Sequence, residues 1–320
     1  MMENTLPWIV LLSHIAILLC IDFFVLHKKN KPISPKKALF ETLFFVTNAL
    51  MFSILIYWFY TNGAVNNINN LSPANSVIKY LTGYIIELSL SVDNLFVIAI
   101  IFSGYKIPNQ YQHKLLFLGI LGAIVFRAIL IGVGLILIHK IHSITIFFGL
   151  FLLYTAFKML KKEEQVDVHE ENKGIAKFFN ISNKLDNGYF VTEINGKKVF
   201  TGLFGALITI EFTDLLFALD SIPAIFAVTT DPFIVFSSNI FAIMGLRSLY
   251  FFLANMLEKF KYLKYSVFSI LIFVSLKLIT ANWVDIPEWF SLLFIGVSLA
   301  IGIWISTLKL KETDTNDTFK

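Results

Sequence analysis

Cysteine and arginine are almost missing from this chain. A single cysteine, Cys20, rules out an intramolecular disulfide and leaves the redox compartment open. Only two arginines occur, Arg127 and Arg247. Charge in general is scarce: 15% of residues are Asp, Glu, Lys or Arg, against about 25% in a soluble domain. A soluble globular class is thereby excluded. The net charge of +4 does not point to nucleic acid, because the lysines cluster in short segments between apolar runs. What fills the chain instead is apolar surface, 57% hydrophobic residues with 34 Phe and a mean hydropathy of +0.74.

Nine apolar stretches of about 20 residues, the length a helix needs to cross the hydrocarbon core, lie near 7–27, 38–60, 77–104, 114–138, 142–160, 199–229, 232–256, 265–281 and 287–307. The expected fold class is therefore an all-α polytopic membrane protein with about nine transmembrane helices. The first stretch lacks a basic leading region and is followed, not preceded, by lysines, so it is expected to be retained as a helix. Basic charge alternates between the connections: five Lys in 28–37, none in 61–76, two in 105–114, one in 139–141, seven in 161–198, none in 230–231, three in 257–264 and none in 282–286. The positive-inside rule then predicts an outer N-terminus and an inner C-terminus. Within the long loop, Tyr189 to Phe200 alternates around Asn195-Gly196 and predicts a β-hairpin.

A motif is written twice in these spans. Glu87 is followed six residues later by Asp93 and Asn94, and Asp214 by Asp220 and Ser221. Arg127 and Lys158 follow the first copy, Arg247 and Lys277 the second. Spans 3–5 and 6–8 would run in opposite senses, a 3+3 inverted-topology repeat of the kind secondary transporters use to build a midplane ion site. The expected organisation is two peripheral helices in 1–76, repeat unit one in 77–160, a cytoplasmic linker with the hairpin in 161–198, repeat unit two in 199–281, and a ninth helix with a polar tail in 282–320.

Charge at the centre of a bilayer helix costs at least a few kcal/mol per residue, so acids repeated in register point to the passage of an ion. At about 100° per residue, Glu87, Ser91 and Asn94 share one helix face; Asp214, Ser221 and Glu211 share the matching one. Asp93 and Asp220 lie off those faces. Aiming them at one ion requires local unwinding, which Pro223 would cause in the second copy and which symmetry would extend to the first. The candidate metal ligands are Glu87, Asp93, Asn94, Asp214, Asp220, Ser221 and Glu211. Arg127 and Arg247 are expected to compensate charge or to gate. No histidine or cysteine falls within the repeated motif, so an all-oxygen set favours Mg²⁺, Ca²⁺ or Mn²⁺ over Zn²⁺ or Cu⁺. Asp22 and Glu41 read as partners of the first lysine cluster, Asp231 as a solvated acid in an outer turn, and Lys158 and Lys277 as snorkelling span-end residues.

The segments Gly83–Asn94 and Phe217–Phe233 resemble the TerC family, integral membrane proteins named for an association with tellurium resistance and including the Alx-type proteins. Gly122–Arg127, Phe241–Arg247 and the hairpin fit the same pattern, and the likeness runs over roughly residues 8–306. The resemblance implies a bacterial inner-membrane protein linked to manganese efflux and to metal supply for exported enzymes. It carries over Glu87, Asp93, Asn94, Asp214, Asp220 and Ser221 as motif positions. The expectation is a proton-coupled exporter of a hard divalent cation, Mn²⁺ by resemblance. It is not an enzyme and has no bound cofactor; its partners are the metal ion, protons and the bilayer, and membrane or exported-protein partners stay open. A non-transporting partner protein of metal or tellurite stress and a Ca²⁺ exporter are the alternatives. An intramembrane aspartyl protease on Asp93 and Asp220 is disfavoured, because the Tyr-Asp and Gly-x-Gly-Asp settings are absent.

Overall fold

The computed structural model describes residues 5–26, 34–140, 144–161, 181–182, 186–194, 196–253, 263–280, 283–284 and 286–317. In chain order the long elements are α1 (Leu6–Cys20), continued by a π-helical segment Ile21–Leu26, α2 (Pro35–Thr61), α3 (Pro73–Gly104), α4 (Asn109–Lys140) and α5 (Ile144–Lys161). The strands β1 (Val191–Ile194) and β2 (Lys197–Phe200) follow, then α6 (Gly202–Phe226), α7 (Pro232–Leu253), α8 (Leu263–Thr280) and α9 (Glu288–Asp317). Helix starts follow local chemistry. Ser34 and Ser72 cap α2 and α3 by accepting from Lys37 N and Asn75 N, and each is followed by proline in the first helical turn, where no amide partner is needed.

Among the described residues, six helices are long and apolar enough to cross a membrane: Leu6–Phe24, Lys36–Thr61, Asn109–Ile138, Gly202–Phe226, Pro232–Phe252 and Trp289–Leu308. The protein is thus an all-α, multi-pass membrane protein. Large exposed apolar side chains run along α1, α2, α4 and α9, among them Ile54, Ile129 and Trp304. Such surface is at ease against lipid tails and would be a liability in water.

α7 is the centre of the assembly. Its membrane window is 89% buried, whereas the other five lie between 22% and 39%. It packs against α1, α2, α3 and α4. Phe233 and Phe241 of α7 meet Phe52 of α2, with Trp8 of α1 and Tyr80 of α3 in the same aromatic cluster. Together with α1, α2 covers α7 on one flank. Elsewhere α4 packs on α6, α3 on α6, and α5 on α8. Small residues allow the close approaches, as is usual between membrane helices. A Cβ added to Gly149 of α5 would lie 3.0 Å from the Ser275 carbonyl oxygen of α8, and one on Gly83 of α3 would lie 2.9 Å from Ser238 Oγ of α7.

The hairpin forms as read: β1 and β2 pair antiparallel from Val191↔Phe200 to Ile194↔Lys197, with Gly196 in the left-handed region at φ +76°. Lys114 at the start of α4 ties it down, donating to the Gly188 carbonyl at 3.1 Å and sitting 4.6 Å over the Phe190 ring.

The expected unwinding does not occur. α3 is helical throughout Pro73–Gly104, and α6 runs through Pro223 to Phe226. Pro223 sits in the last turn of α6, where its missing amide removes one bond just before the helix ends.

Candidate functional site

Arg127 lies in the middle of α4 and is fully buried. Its Nη1 donates to Glu87 Oε1 of α3, to Asn239 Oδ1 of α7 at 2.7 Å and to Ser221 Oγ of α6 at 3.1 Å; its Nη2 reaches Asp214 Oδ1 of α6 at 3.3 Å. Ser91, one turn along α3, donates to the same Glu87 oxygen at 3.0 Å. One guanidinium thus joins four helices. The two acids that open the repeated motif face it from α3 and α6. A buried arginine in a low-dielectric interior is tolerable only with such a surround, since an unpaired charge there costs several kcal/mol.

The network is not saturated. Glu87 Oε2, Asp214 Oδ2, Asn239 Nδ2 and Arg127 Nε are buried without a hydrogen-bond partner among the described residues. Glu211, one turn before Asp214, presses its carboxylate against α4 at Gly122: a Cβ there would fall 2.2 Å from either oxygen. Glycine at 122 is what admits the acid.

A cavity of about 40 Å³ adjoins the network at Asp214, room for a few water molecules. It extends between the C-terminal halves of α3 and α7, the N-terminal half of α4 and the middle of α6. Its lining is mostly apolar, and its polar groups are Asn94, Thr213, Asp214 and Arg247.

Of the residues singled out in sequence, the structure gathers Glu87, Asp214, Ser221 and Arg127 in one network, with Glu211 next to it. Asn94 and Arg247 stand at the adjoining cavity. Asp93 and Asp220 lie on α3 and α6, but their side chains, like that of Lys158, are outside the described residues. Among the described residues no three His, Cys, Asp or Glu side chains converge as a metal cage; the acids are organised around a guanidinium. Sequence reasoning misses Asn239. Its only sequence signal is the polar run Ser237-Ser238-Asn239 inside an apolar span.

Three readings are corrected. Asp22 is not simply an interfacial partner of lysines: it is 2% exposed and pairs with Arg247, because the π-helical end of α1 faces α7, while Lys28, Lys29 and Lys31 lie outside the described residues. Asp231 is not solvated; it is 1% exposed and caps α7, accepting from Phe233 N and Ile234 N at 3.0 and 3.2 Å. Lys277 does not snorkel; it is 8% exposed, and its ammonium donates to Ser291 Oγ at 3.1 Å. Glu41 does pair with a lysine of the first cluster, Lys37, at 3.5 Å.

The chain is similar to membrane proteins of several bacteria. An uncharacterised membrane protein of Rickettsia bellii is 41% identical over 312 residues, covering 97% of this chain and 99% of the relative. One from Myxococcus xanthus is 40% identical over 313 residues, covering 97% and 94%. A Salmonella typhi relative, whose name proposes a membrane-bound redox modulator, Alx, is 37% identical over 306 residues, covering 93% and 94%. No solved structure matches. The family model for the integral membrane protein TerC family matches residues 72–314, which takes in the whole Arg127 network, and the chain belongs to that family.

Proposed function

We propose that the protein is a secondary transporter that exports a hard divalent cation, Mn²⁺ foremost, in exchange for protons. The observation that carries this reading is the bridge from Arg127 to Glu87 and Asp214. These acids occupy the same place in two copies of one motif, on two helices, and share a single compensating cation that an ion can replace. The remaining oxygens, from Ser91, Ser221, Asn94, Asn239 and Glu211 with Asp93 and Asp220 on the same helices, are hard donors suited to Mn²⁺, Mg²⁺ or Ca²⁺. Manganese itself comes from the family resemblance.

The helix packing supports the inverted repeat. α3 packs on α6 and α7, α4 on α6 and α7, and α5 on α8. Exchanging α3–α5 for α6–α8 leaves that pattern unchanged, as a two-fold axis in the membrane plane requires. In the nine-span topology that the lysine pattern predicts, with an outer N-terminus and an inner C-terminus, the cavity would lie on the cytoplasmic side of the acids. An exporter loads from that side. Moving a divalent cation outward against 100 mV costs about 4.6 kcal/mol, twice the roughly 2.3 per charge. The acids that release metal can take up protons in return, which supplies the coupling.

A redox role through a dithiol pair within the chain does not fit, since Cys20 is the only cysteine. The test is Mn²⁺ flux into liposomes holding the purified protein, with a pH dye inside, for the native chain and Glu87→Gln. Metal movement with proton counter-flow, lost in the variant, is the expected result. Absence of flux for both Mn²⁺ and Ca²⁺ under either gradient would sink this reading and favour a non-transporting partner protein.

A further inference from the structure

The second arginine is placed differently from the first. Arg247 occupies in repeat two the place Arg127 holds in repeat one, yet its guanidinium pairs with Asp22, a residue outside both repeats and outside the matched segment 72–314. Asp22 is buried and belongs to the π-helical end of α1, a rare helix form that is often found at functional sites. Arg247 also walls the cavity whose other charged group is Asp214. Arg247 thus pairs with one carboxylate, Asp22, and shares a cavity wall with a second, Asp214.

We propose that Asp22 is a positioning residue that holds Arg247 away from Asp214, and that the transport cycle moves Arg247 from Asp22 to Asp214. The argument is one of charge balance. Asp214 already meets Arg127 at 3.3 Å through one oxygen, while its Oδ2 is buried without a hydrogen bond. A second guanidinium arriving there from the cavity side would satisfy that oxygen and release Arg127 to Glu87 alone. Pseudo-symmetry makes the same demand: in the inverted copy of the present arrangement, Arg247 binds the acids and Arg127 is drawn off. An arginine on Asp214 competes with a metal cation for that carboxylate. The pairing of Asp22 with Arg247 therefore keeps Asp214 open to the cavity. The place of this exchange in a cycle rests on the transporter reading, whereas the competition of two acids for one arginine does not.

Two measurements on the purified full-length protein separate these. The first is a thermal-unfolding mutant cycle in detergent. In the native background Arg247→Gln and Asp214→Asn are expected to act additively on Tm. In an Asp22→Asn background the same two changes become non-additive, because Arg247 has moved to Asp214. Continued additivity overturns the proposal, whatever the flux data say. The second is Mn²⁺ transport. Asp22→Asn is expected to raise KM roughly tenfold, within the range of ordinary site coupling, at a maximal rate per folded protein little changed. Arg247→Gln added to it restores the native KM but at a lower maximal rate, because the exchange itself is lost, and Asp22→Glu keeps the native KM. A purely structural Asp22 would lower the amount of folded protein and the maximal rate without moving KM, and that result also overturns the proposal. Should Asp22→Asn alone not fold, Asp22→Asn/Arg247→Lys, which keeps a cation beside Asp214, is compared with Asp22→Asn/Arg247→Gln, which keeps none. The first is expected to show the higher KM, and equal values count against the exchange. A native protein with no flux at all would overturn the transporter reading, and the Tm cycle would still decide where Arg247 goes.

Discussion

Arg127 and Arg247 stand at equivalent places in two copies of one motif, but they live in different surroundings. Arg127 is on α4, a helix that shows lipid a row of large apolar residues including Val125, Ile129 and Val133. It turns inward and touches three other helices. Arg247 is on α7, which α3, α2, α4 and α1 together enclose almost completely, and its guanidinium is engaged by Asp22 at the end of α1. Of the helices outside the repeated motif, α1 and α2 reach α7, while α2 also packs on α3 and α9 packs on α3 and α8. Two arginines packed only by the motif-bearing helices would be equal partners for the acids; Asp22 at the end of α1 makes them unequal.

The sharpest way to break that comparison is to remove each arginine in turn. Arg127→Gln leaves Glu87 and Asp214 buried and uncompensated, and stripping one partner from a buried ion pair costs about 3–5 kcal/mol. The upper end is expected here, because two acids from two helices lose their cation. Arg247→Gln uncovers Asp22 and should fall at the lower end. Chemical denaturation in micelles measures both. Equal losses would mean that the asymmetry is one of geometry without energetic weight. Arg127→Gln is further expected to abolish Mn²⁺ flux even where folded protein is recovered.

A second comparison sets two glycines against each other. Gly149 meets backbone: an added Cβ lies 3.0 Å from Ser275 O and 3.1 Å from Ile279 N of α8. Backbone cannot rotate aside, so Gly149→Ala must spread α5 and α8, at about 1–3 kcal/mol for an overpacked contact. At Gly122 the nearest atoms are those of the Glu211 carboxylate, the free end of a flexible side chain. Gly122→Ala is therefore expected to cost little stability while moving Glu211 off α4, and its effect should appear in the KM for Mn²⁺. A loss of stability at Gly122 as large as that at Gly149 would show Glu211 to be fixed in place, a packing element with no part in binding.

The sequence carries most of the site because the site is built from what membrane helices avoid. Glu87, Asp214, Ser221 and Arg127 stand out as charged or polar breaks at repeated spacing, and the structure brings them into one network. Asn239 does not stand out, since an uncharged amide in a span carries little penalty and its role depends on which residue faces it across α4. Asp22 is legible as an acid but not as a partner of Arg247: 225 positions separate them, and only the packing of α1 on α7 brings them together. Unwinding near Pro223 follows only from the premise that both acids of a motif must face one ion. The network instead takes Glu87 and Asp214, the first acid of each motif, and an intact helix presents each of them without a break. Periodicity alone cannot foresee that choice.

The smallest expected effect concerns the opposite end of α7, where Asp231 can sharpen the picture of this helix as the fixed centre. Burial pushes the Asp231 carboxyl above the ordinary aspartate range, while the Tyr60 hydroxyl beside it, the two capping amides and Lys79 pull it back in part. A carboxyl whose folded pKa is raised holds its proton more tightly in the folded state. Its contribution to stability is complete below the unfolded value, about pH 3.9, and is lost as the pH rises through the raised folded value. The native protein should accordingly lose a little stability as the pH climbs from about 4 towards neutrality. Asp231→Asn keeps the helix cap, for Asn is as good an N-cap as Asp, and has no proton to lose; Asp231→Ala forfeits the cap at about 1 kcal/mol. Denaturation midpoints across that pH range should therefore show the Asp231→Asn variant flat, the native protein declining, and the Asp231→Ala variant flat but lower. If instead the native protein gains stability with rising pH and the Asp231→Asn variant does not, the Asp231 carboxylate is stabilised in its charged form by Lys79 and the amides, and the cap of α7 is an ionic anchor.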